Sequence, residues 1–171
     1  SLDNNSLSSL PDEIGQLGNL ITLSLISNNI SALPESIGDI SSLQILSLSD
    51  NNLIELPDRI GQLVNLKGLS IDHNNLISLP ESIGNLNKLE ALTASENNIR
   101  ELPKSIGNLT SVINLELNDN KLTELPETIG NLKKLLRLFL FRNKLESLPE
   151  SFGGMDSLVW LVIDNKRLTS I

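Results

Sequence analysis

The residues of this sequence best suited to chemistry form a column of carboxylates around its single histidine. They recur at one fixed interval, as Asp50, His73, Glu96 and Asp119, and Asp72 adjoins the histidine. One imidazole among several carboxylates offers ligands for zinc or another divalent ion. Asp50, Asp72, His73 and Glu96 are therefore weak metal-binding candidates, and metal-mediated assembly is one hypothesis. The alternatives are an exposed acidic stripe around a protonated histidine, or an acidic docking surface for a basic partner.

Catalysis has little support in the remaining residues. The chain has no cysteine, which excludes a thiolate nucleophile and cysteine ligands to a metal. His73 is the only imidazole, and Ser70 belongs to a column of small polar residues that recurs through the chain. No glycine-rich phosphate loop is present, because the glycines follow a fixed spacing of their own. We therefore predict a protein that is not an enzyme and needs no cofactor.

Aromatic residues are scarce and unevenly placed. The chain has three phenylalanines and one tryptophan in 171 residues. Two of the phenylalanines stand one residue apart in the stretch LFLFRN at 138–143 and are followed by an arginine. In a strand, residues two positions apart share a face, so Phe139 and Phe141 lie on the face opposite that of Leu138 and Leu140. The location of that face depends on the elements that carry it.

Those elements come from an internal repeat of 23 residues, the spacing from Pro11 to Pro34. Three residue types recur with this period and keep the same phase. All seven prolines fall in one column: Pro11, Pro34, Pro57, Pro80, Pro103, Pro126 and Pro149. A glycine follows each of them four residues later: Gly15, Gly38, Gly61, Gly84, Gly107, Gly130 and Gly153. The third column is asparagine: Asn5, Asn28, Asn51, Asn74, Asn97, Asn120 and Asn143.

One unit, starting at residue 20, reads LITLSLISNNISALPESIGDISS. It matches the pattern LxxLxLxxNxLxxLPxxIGxL and resembles the short, 23-residue class of the leucine-rich repeat family. The resemblance implies an α/β repeat solenoid, with a curved array whose concave face is a parallel β-sheet and whose convex side carries short helical or 3-10 turns. Alternating residues in LSL also suit a half-buried strand, and stacked repeats can share one core.

The repeat also predicts the domain organisation. We expect a single domain over 1–171, with a partial first repeat at 1–19 and seven strand-bearing repeats from residue 20, the last of them incomplete. The acidic residues that directly follow the prolines are expected to have a structural role at helix starts. Both ends of the sequence fall inside a repeat, which predicts a fragment of a longer array or unusual caps.

With the leucines in the core, the residues between them form the concave surface. We predict that this surface binds a protein partner in repeats 6 and 7, through the anchors Phe139, Phe141 and Trp160 and the flanking donors Arg137 and Arg142. Aromatic residues and arginine are enriched at interface hot spots. Arg137 is expected to stack on Trp160 across the sheet. Glu116 and Asp119 are predicted to steer the partner electrostatically. An intramolecular cover over the same patch is the alternative.

The net charge of −8 limits the partners. An acidic chain is repelled by phosphate backbones and anionic lipid, so we expect no nucleic acid partner and no membrane insertion. The resemblance extends to Ras-associating leucine-rich repeat proteins and to proteins exported by bacterial pathogens, most of which bind proteins. Cytoplasmic and exported or cell-surface locations are both compatible with the sequence. A structural spacer or regulatory arm and weak self-association are the remaining alternatives.

Overall fold

Seven short strands form one parallel sheet in chain order. The structure, a computed structural model, describes residues 1–164. The strands are β1 Thr22–Ser24, β2 Ile45–Ser47, β3 Gly68–Ser70, β4 Ala91–Thr93, β5 Asn114–Glu116, β6 Arg137–Phe139 and β7 Trp160–Val162. Each strand pairs in register with the equivalent residues of the next repeat, for example Leu69 with Leu92. Equivalent side chains of successive repeats therefore lie side by side across the sheet.

Within residues 1–164, the opposite side of the solenoid carries seven 3-10 helices, one in the partial first repeat and one in each of repeats 1 to 6. They are η1 Asp12–Gln16, η2 Glu35–Asp39, η3 Asp58–Gln62, η4 Glu81–Asn85, η5 Lys104–Asn108, η6 Glu127–Asn131 and η7 Glu150–Gly154. A proline immediately precedes each of them, and its fixed φ suits a helix start. Five residues are enough for a 3-10 turn, and the segment has no room for a longer α-helix.

The core lies between the sheet and these helices. The central leucine of each strand from β2 to β6 is almost fully buried, as are the isoleucines of the 3-10 helices η2 to η6. Ala94 takes the place of a core leucine in repeat 4 and is also fully buried, as its position in the repeat predicts. Phe152 packs against the same core in η7. The sheet face that points away from the helices is called the concave face below.

The asparagine column forms a buried ladder. Asn74 donates from Nδ2 to the carbonyl oxygens of Leu48 and Ile71, and its Oδ1 accepts from the N–H of Leu53 at 2.9 Å. Asn51 and Asn97 make equivalent bonds in their own repeats. Each amide thus satisfies buried backbone groups of its own turn and of the preceding one, as an asparagine column at the point where the chain leaves the strand predicts.

The glycine column marks close contact between successive 3-10 helices. A Cβ added to Gly84 would lie 2.5 Å from the carbonyl oxygen of Ser105 and 2.6 Å from its Cβ. None of these glycines has a positive φ. The sequence alone suggests a tight turn at these glycines, whereas the structure shows that those from Gly15 to Gly130 provide space between successive 3-10 helices.

Acidic residues at the helix starts do have structural partners, but in the next repeat. Glu127 accepts a hydrogen bond at Oε2 from the backbone N–H of Ser151, in the following 3-10 helix, at 3.1 Å. Glu35 makes the same bond to Arg59. The backbone N–H of Ser151, together with its hydroxyl, holds the pKa of Glu127 below its ordinary value. These carboxylates therefore join successive helices.

The predicted solenoid, with its parallel sheet and short convex turns, is confirmed, and every described turn on the convex side is a 3-10 helix. The division into a partial first repeat and seven further repeats stays a prediction, and residues 165–171 of the last repeat lie outside the described residues. Residues 1–5 already contact β1 through the bonds from the Leu2 N–H to Ser24 O and from the Asn4 N–H to Ile26 O. Among residues 1–164, no helix has the length and apolar character needed to cross a membrane.

Candidate functional site

Strand β6 presents an aromatic surface on the concave face. Leu138 and Leu140 are fully buried in the core, whereas Phe139 and Phe141 are only half-buried. The strict alternation of the strand produces this arrangement, because neighbouring residues point to opposite faces. Across the sheet, Phe139 pairs with Val162 and Arg137 pairs with Trp160. We call Arg137, Phe139, Phe141, Arg142 and Trp160 the aromatic patch.

Both arginines of the aromatic patch lie over aromatic rings. The guanidinium carbon of Arg137 is 4.7 Å from the centre of the Trp160 ring, which confirms the predicted stacking. The guanidinium carbon of Arg142 is 4.8 Å from the centre of the Phe141 ring. Such contacts are favourable because the face of an aromatic ring is negative. The rings are therefore held in place while Trp160 keeps 54% of its surface exposed.

Repeat 5 holds Phe141 from the neighbouring strand. Asn118 accepts a hydrogen bond at Oδ1 from the backbone N–H of Phe141, at 2.9 Å. Asp119 accepts one from Nη1 of Arg142, at 3.3 Å. Asp119 was predicted to steer a partner, but its charge is compensated by Arg142. Its observed contacts give it a positioning role toward the aromatic patch, and Asn118 is a positioning residue that the sequence analysis did not select.

Glu116 lies at the border of the aromatic patch. It pairs across the sheet with Phe139, and its Oε1 accepts a hydrogen bond from Nδ2 of Asn114 at 2.7 Å. The amide donor is neutral, so the negative charge of Glu116 is not compensated by it. Among the described residues, Glu116 forms no ion pair. The electrostatic role of Glu116 stays a prediction, and its uncompensated charge is compatible with that role.

Aliphatic side chains extend the aromatic patch beyond the selected residues. Leu136 and Val159 directly precede β6 and β7, and their exposed fractions are 39% and 69%. Val162 is the last residue of β7 and is 41% exposed. Leu136 and Val159 are joined by a backbone hydrogen bond between the neighbouring segments. The sequence already indicated this extension. Leu136 and Val159 directly follow the first leucine of repeats 6 and 7, a position that charged residues occupy in repeats 3 and 4, namely Lys67 and Glu90.

The histidine column does not converge on a metal site. Nδ1 of His73 lies 3.0 Å from Oε2 of Glu96, and the two form an isolated pair. Asp72 accepts bonds from the hydroxyl of Thr93 and, at 2.8 Å, from the backbone N–H of Ser95. Within residues 1–164, no group of three or more histidine or carboxylate side chains is placed to hold a metal ion. The metal candidates Asp50, Asp72, His73 and Glu96 are therefore not supported as a site.

Backbone geometry explains the spacing of that column. Asp50, His73, Glu96 and Asp119 all have φ between 51° and 57°. Ser27 and Arg142 adopt the same left-handed conformation in their own repeats. Each residue immediately precedes a ladder asparagine and reverses the chain out of the strand. The column is thus a turn position of the repeat, where a left-handed residue is needed whatever its side chain.

An open groove lies away from the aromatic patch. Its volume is about 910 Å³, and it lies on the flank of repeats 3 to 5. Its lining is Ser78, Leu79, Glu81, Glu101, Leu102, Pro103, Lys104, Glu124, Pro126, Glu127 and Thr128. The lining contains neither histidine nor cysteine, and its charged side chains are four glutamates and Lys104.

Comparison with protein families returns leucine-rich repeats along most of the chain. A family model described as leucine-rich repeat region matches residues 1–72. Two models described as leucine rich repeat match residues 110–168 and 65–86. No curated protein gives a significant match to the sequence.

Solved structures with the same architecture come from bacteria and plants. A leucine-rich repeat protein of Leptospira interrogans is 44% identical, with a TM-score of 0.90, over 92% of this chain and 40% of its own. The ectodomain of the Arabidopsis thaliana receptor kinase GASSHO1/SCHENGEN3, in complex with CASPARIAN STRIP INTEGRITY FACTOR 2, is 33% identical with a TM-score of 0.81 over 95% of this chain and 20% of its own. The Arabidopsis receptor kinase HAESA, in complex with the peptide hormone IDA and the co-receptor SERK1, is 30% identical with a TM-score of 0.78 over 95% of this chain and 33% of its own. This chain therefore spans less than half the length of each of these proteins.

Proposed function

This chain belongs to the leucine-rich repeat family, and we propose that it is a non-catalytic module that binds a protein partner on its concave face. The contact is made mainly by the aromatic patch of repeats 6 and 7. Phe139, Phe141 and Trp160 are the apolar anchors, and Arg137 and Arg142 flank them. The fold is commonly used for protein–protein interaction, and two of the similar plant ectodomains were solved with bound partners.

One observation carries the proposal, namely an aromatic cluster on a face that the fold does not use for its own core. The leucines of β6 already fill the core, so the aromatic side chains add little to burial within the chain. Aromatic residues bury about 150–250 Å² each when they are covered, and exposed apolar patches of a few hundred Å² commonly mark binding sites. Leu136, Val159 and Val162 enlarge the surface on offer.

A selection experiment tests the proposal without knowledge of the natural partner. A library of random peptides displayed on phage is selected on the immobilised chain, and each binder is titrated against wild type and the variants Phe139→Ala and Trp160→Ala. We expect binders whose affinity falls about 30-fold or more on loss of either anchor, which corresponds to roughly 2 kcal/mol for a true hot spot. Ile54→Ala is the matched control, because Ile54 is an exposed aliphatic residue outside the strands.

Three results would count against the proposal. Binders that are indifferent to both anchors place recognition elsewhere. If no binders emerge, while Leu138→Ala still destabilises the fold by about 2–5 kcal/mol, the spacer reading is favoured. Self-association is detected through Trp160, the only tryptophan of the chain. Acrylamide quenching that weakens as the protein concentration rises would show that copies cover the patch.

A further inference from the structure

The apolar and acidic parts of the concave face are arranged in parallel rows across the strands. In the first row, backbone hydrogen bonds connect Val159 to Leu136, Leu136 to Ile113 and Ile113 to Glu90. In the second row, the strand register places Val162, Phe139, Glu116 and Thr93 side by side. Both rows are apolar at repeats 6 and 7 and meet a carboxylate one or two repeats earlier. The concave face therefore changes from apolar to acidic along one direction, from repeat 7 toward repeat 4.

The carboxylates along this border are not neutralised from within. Glu116 accepts only from the neutral amide of Asn114, and Glu90 takes part in none of the ion pairs of the described residues. Asp72 lies two repeats before Glu116 and accepts hydrogen bonds from hydroxyls and a backbone N–H, which carry no net charge. Lys67 follows Glu90 in the first row, which confines the excess negative charge there to one repeat. An uncompensated carboxylate next to an apolar patch is complementary to a ligand that is apolar at one end and cationic at the other.

We infer that the partner is an extended segment with an apolar side chain on the aromatic patch and a lysine or arginine over Glu116, running across the strands from repeat 7 toward repeat 3. This inference rests on the proposed function and specifies the chemistry of the partner. A second copy of this acidic chain is a poorer occupant, because its charge of −8 would be brought against the same charge.

The strand spacing fixes the distance between the two recognition elements. Val162 and Glu116 are two strands apart, about 10 Å for neighbours spaced at about 4.8 Å. An extended peptide advances about 3.3 Å per residue, so the cationic residue lies about three positions from the apolar one that covers Val162. For an anchor over Phe139, one strand from Glu116, the separation is one or two positions.

The test uses the peptides selected on the full chain. Binders that depend on Phe139 are sequenced, and their affinity is measured for wild type, Glu116→Gln and Glu116→Lys at ~0.1 M and ~1 M salt. We expect enrichment of lysine or arginine one to three positions from an apolar residue. Glu116→Gln should weaken binding about two- to fivefold, as for an exposed ion pair, and Glu116→Lys by about tenfold or more. High salt should reduce the difference, because the screening length falls from ~10 to ~3 Å.

Glu124→Lys is the matched control, since it makes the same change of charge at an exposed carboxylate outside the strands. Binders that need Phe139 but carry no basic residue, or that respond equally to Glu116→Lys and Glu124→Lys, would overturn the inference and leave the proposed function intact. A selection without any binder sensitive to Phe139→Ala would overturn both. Acidic peptides enriched on Glu116→Lys but absent from wild type would give independent support.

Discussion

Asn74 illustrates how much of each junction between repeats depends on a single side chain. It is only 6% exposed, and its amide connects backbone groups of repeats 2 and 3. Without this amide, the Leu53 N–H loses its hydrogen-bond partner in the interior, whereas the Leu48 carbonyl still accepts from Nδ2 of Asn51. A buried polar group without a partner costs about 1–3 kcal/mol.

Asn74→Ala is therefore expected to lower the free energy of unfolding by about 1–3 kcal/mol, because the buried Leu53 N–H loses its partner. Urea denaturation followed by circular dichroism measures the change. The control is Asn75→Ala, whose side chain is exposed in the adjacent position of the same repeat. Equal losses for the two variants would contradict the assigned role.

Single residues also show what sequence analysis can and cannot anticipate. The ladder and the concave position of Phe139 could be predicted, because both follow from the repeat phase and the alternation of a strand. The carboxylate column held only weak metal candidates, and the reason for its spacing, the left-handed turn at Asp50 and His73, is not encoded in residue type. The ion pair between Arg142 and Asp119 depends on side-chain rotamers and on the spacing of the strands, and the amino-acid sequence alone does not give either of these.

Successive 3-10 helices are in close contact because a glycine faces a backbone carbonyl. Gly84 and Gly153 occupy the same position of the repeat, yet their surroundings differ. A Cβ on Gly84 would overlap Ser105 of the next helix, whereas a Cβ on Gly153 meets nothing within 4 Å. Comparing alanine substitutions at Gly84 and Gly153 therefore separates the effect of contact between repeats on stability from the effect of helix propensity.

Gly84→Ala is expected to destabilise the chain by about 1–3 kcal/mol, as in other overpacked cores. Gly153→Ala should be neutral or stabilise by up to ~1 kcal/mol, because alanine restricts the unfolded chain and no clash opposes it. Thermal denaturation of both variants checks the contrast. A loss of stability at Gly153 as large as that at Gly84 would show that backbone conformation, and not space, selects glycine.

Helices are also joined by charge, and this contribution depends on pH. The bond from Ser151 holds the pKa of Glu127 below its ordinary value of 4.5. The folded state thus binds this proton less readily than the unfolded state, so the stabilisation is complete above about pH 4.5 and is lost as the pH falls through the lower folded value.

Glu127→Gln should therefore lower the urea midpoint at pH 7, and the difference from wild type should disappear in acid. Glu150→Gln is the control, because it makes the same substitution at the start of η7, after which the described chain has no further helix. A difference that stays constant from about pH 7 down to about pH 2 would show that the carboxylate charge is not involved. The sequence indicated acidic helix starts, but the bonds that Glu35, Glu81 and Glu127 make to the following 3-10 helix required the structure.

The whole molecule behaves as a line of neighbours. The closest backbone approaches between described elements join consecutive strands or consecutive 3-10 helices. Stability in such arrays is a sum of repeat and interface contributions, so local opening depends on position. The central strands are paired on both sides, whereas β7 has one neighbouring strand among the described residues and all three of its residues are exposed.

Amide hydrogen exchange measured by mass spectrometry should therefore be at least about tenfold faster in β7 than in β3 to β5, a difference of about 1.4 kcal/mol in opening free energy. Uniform protection along the chain would instead indicate one cooperative unit. If a peptide binds the aromatic patch, it should slow exchange in β6 and β7 and leave β1 and β2 unchanged.

The in-register pairing of strands from successive repeats has a genetic consequence. Duplication or deletion of a whole unit leaves each strand, glycine and asparagine facing its proper neighbour, so the gene can change length in steps that the fold accepts. A unit gained between the Glu116 strand and the Phe139 strand would move the negative charge from the rings by one strand spacing, about 4.8 Å. Recombination could thereby change the distance between two recognition elements while both keep their own residues.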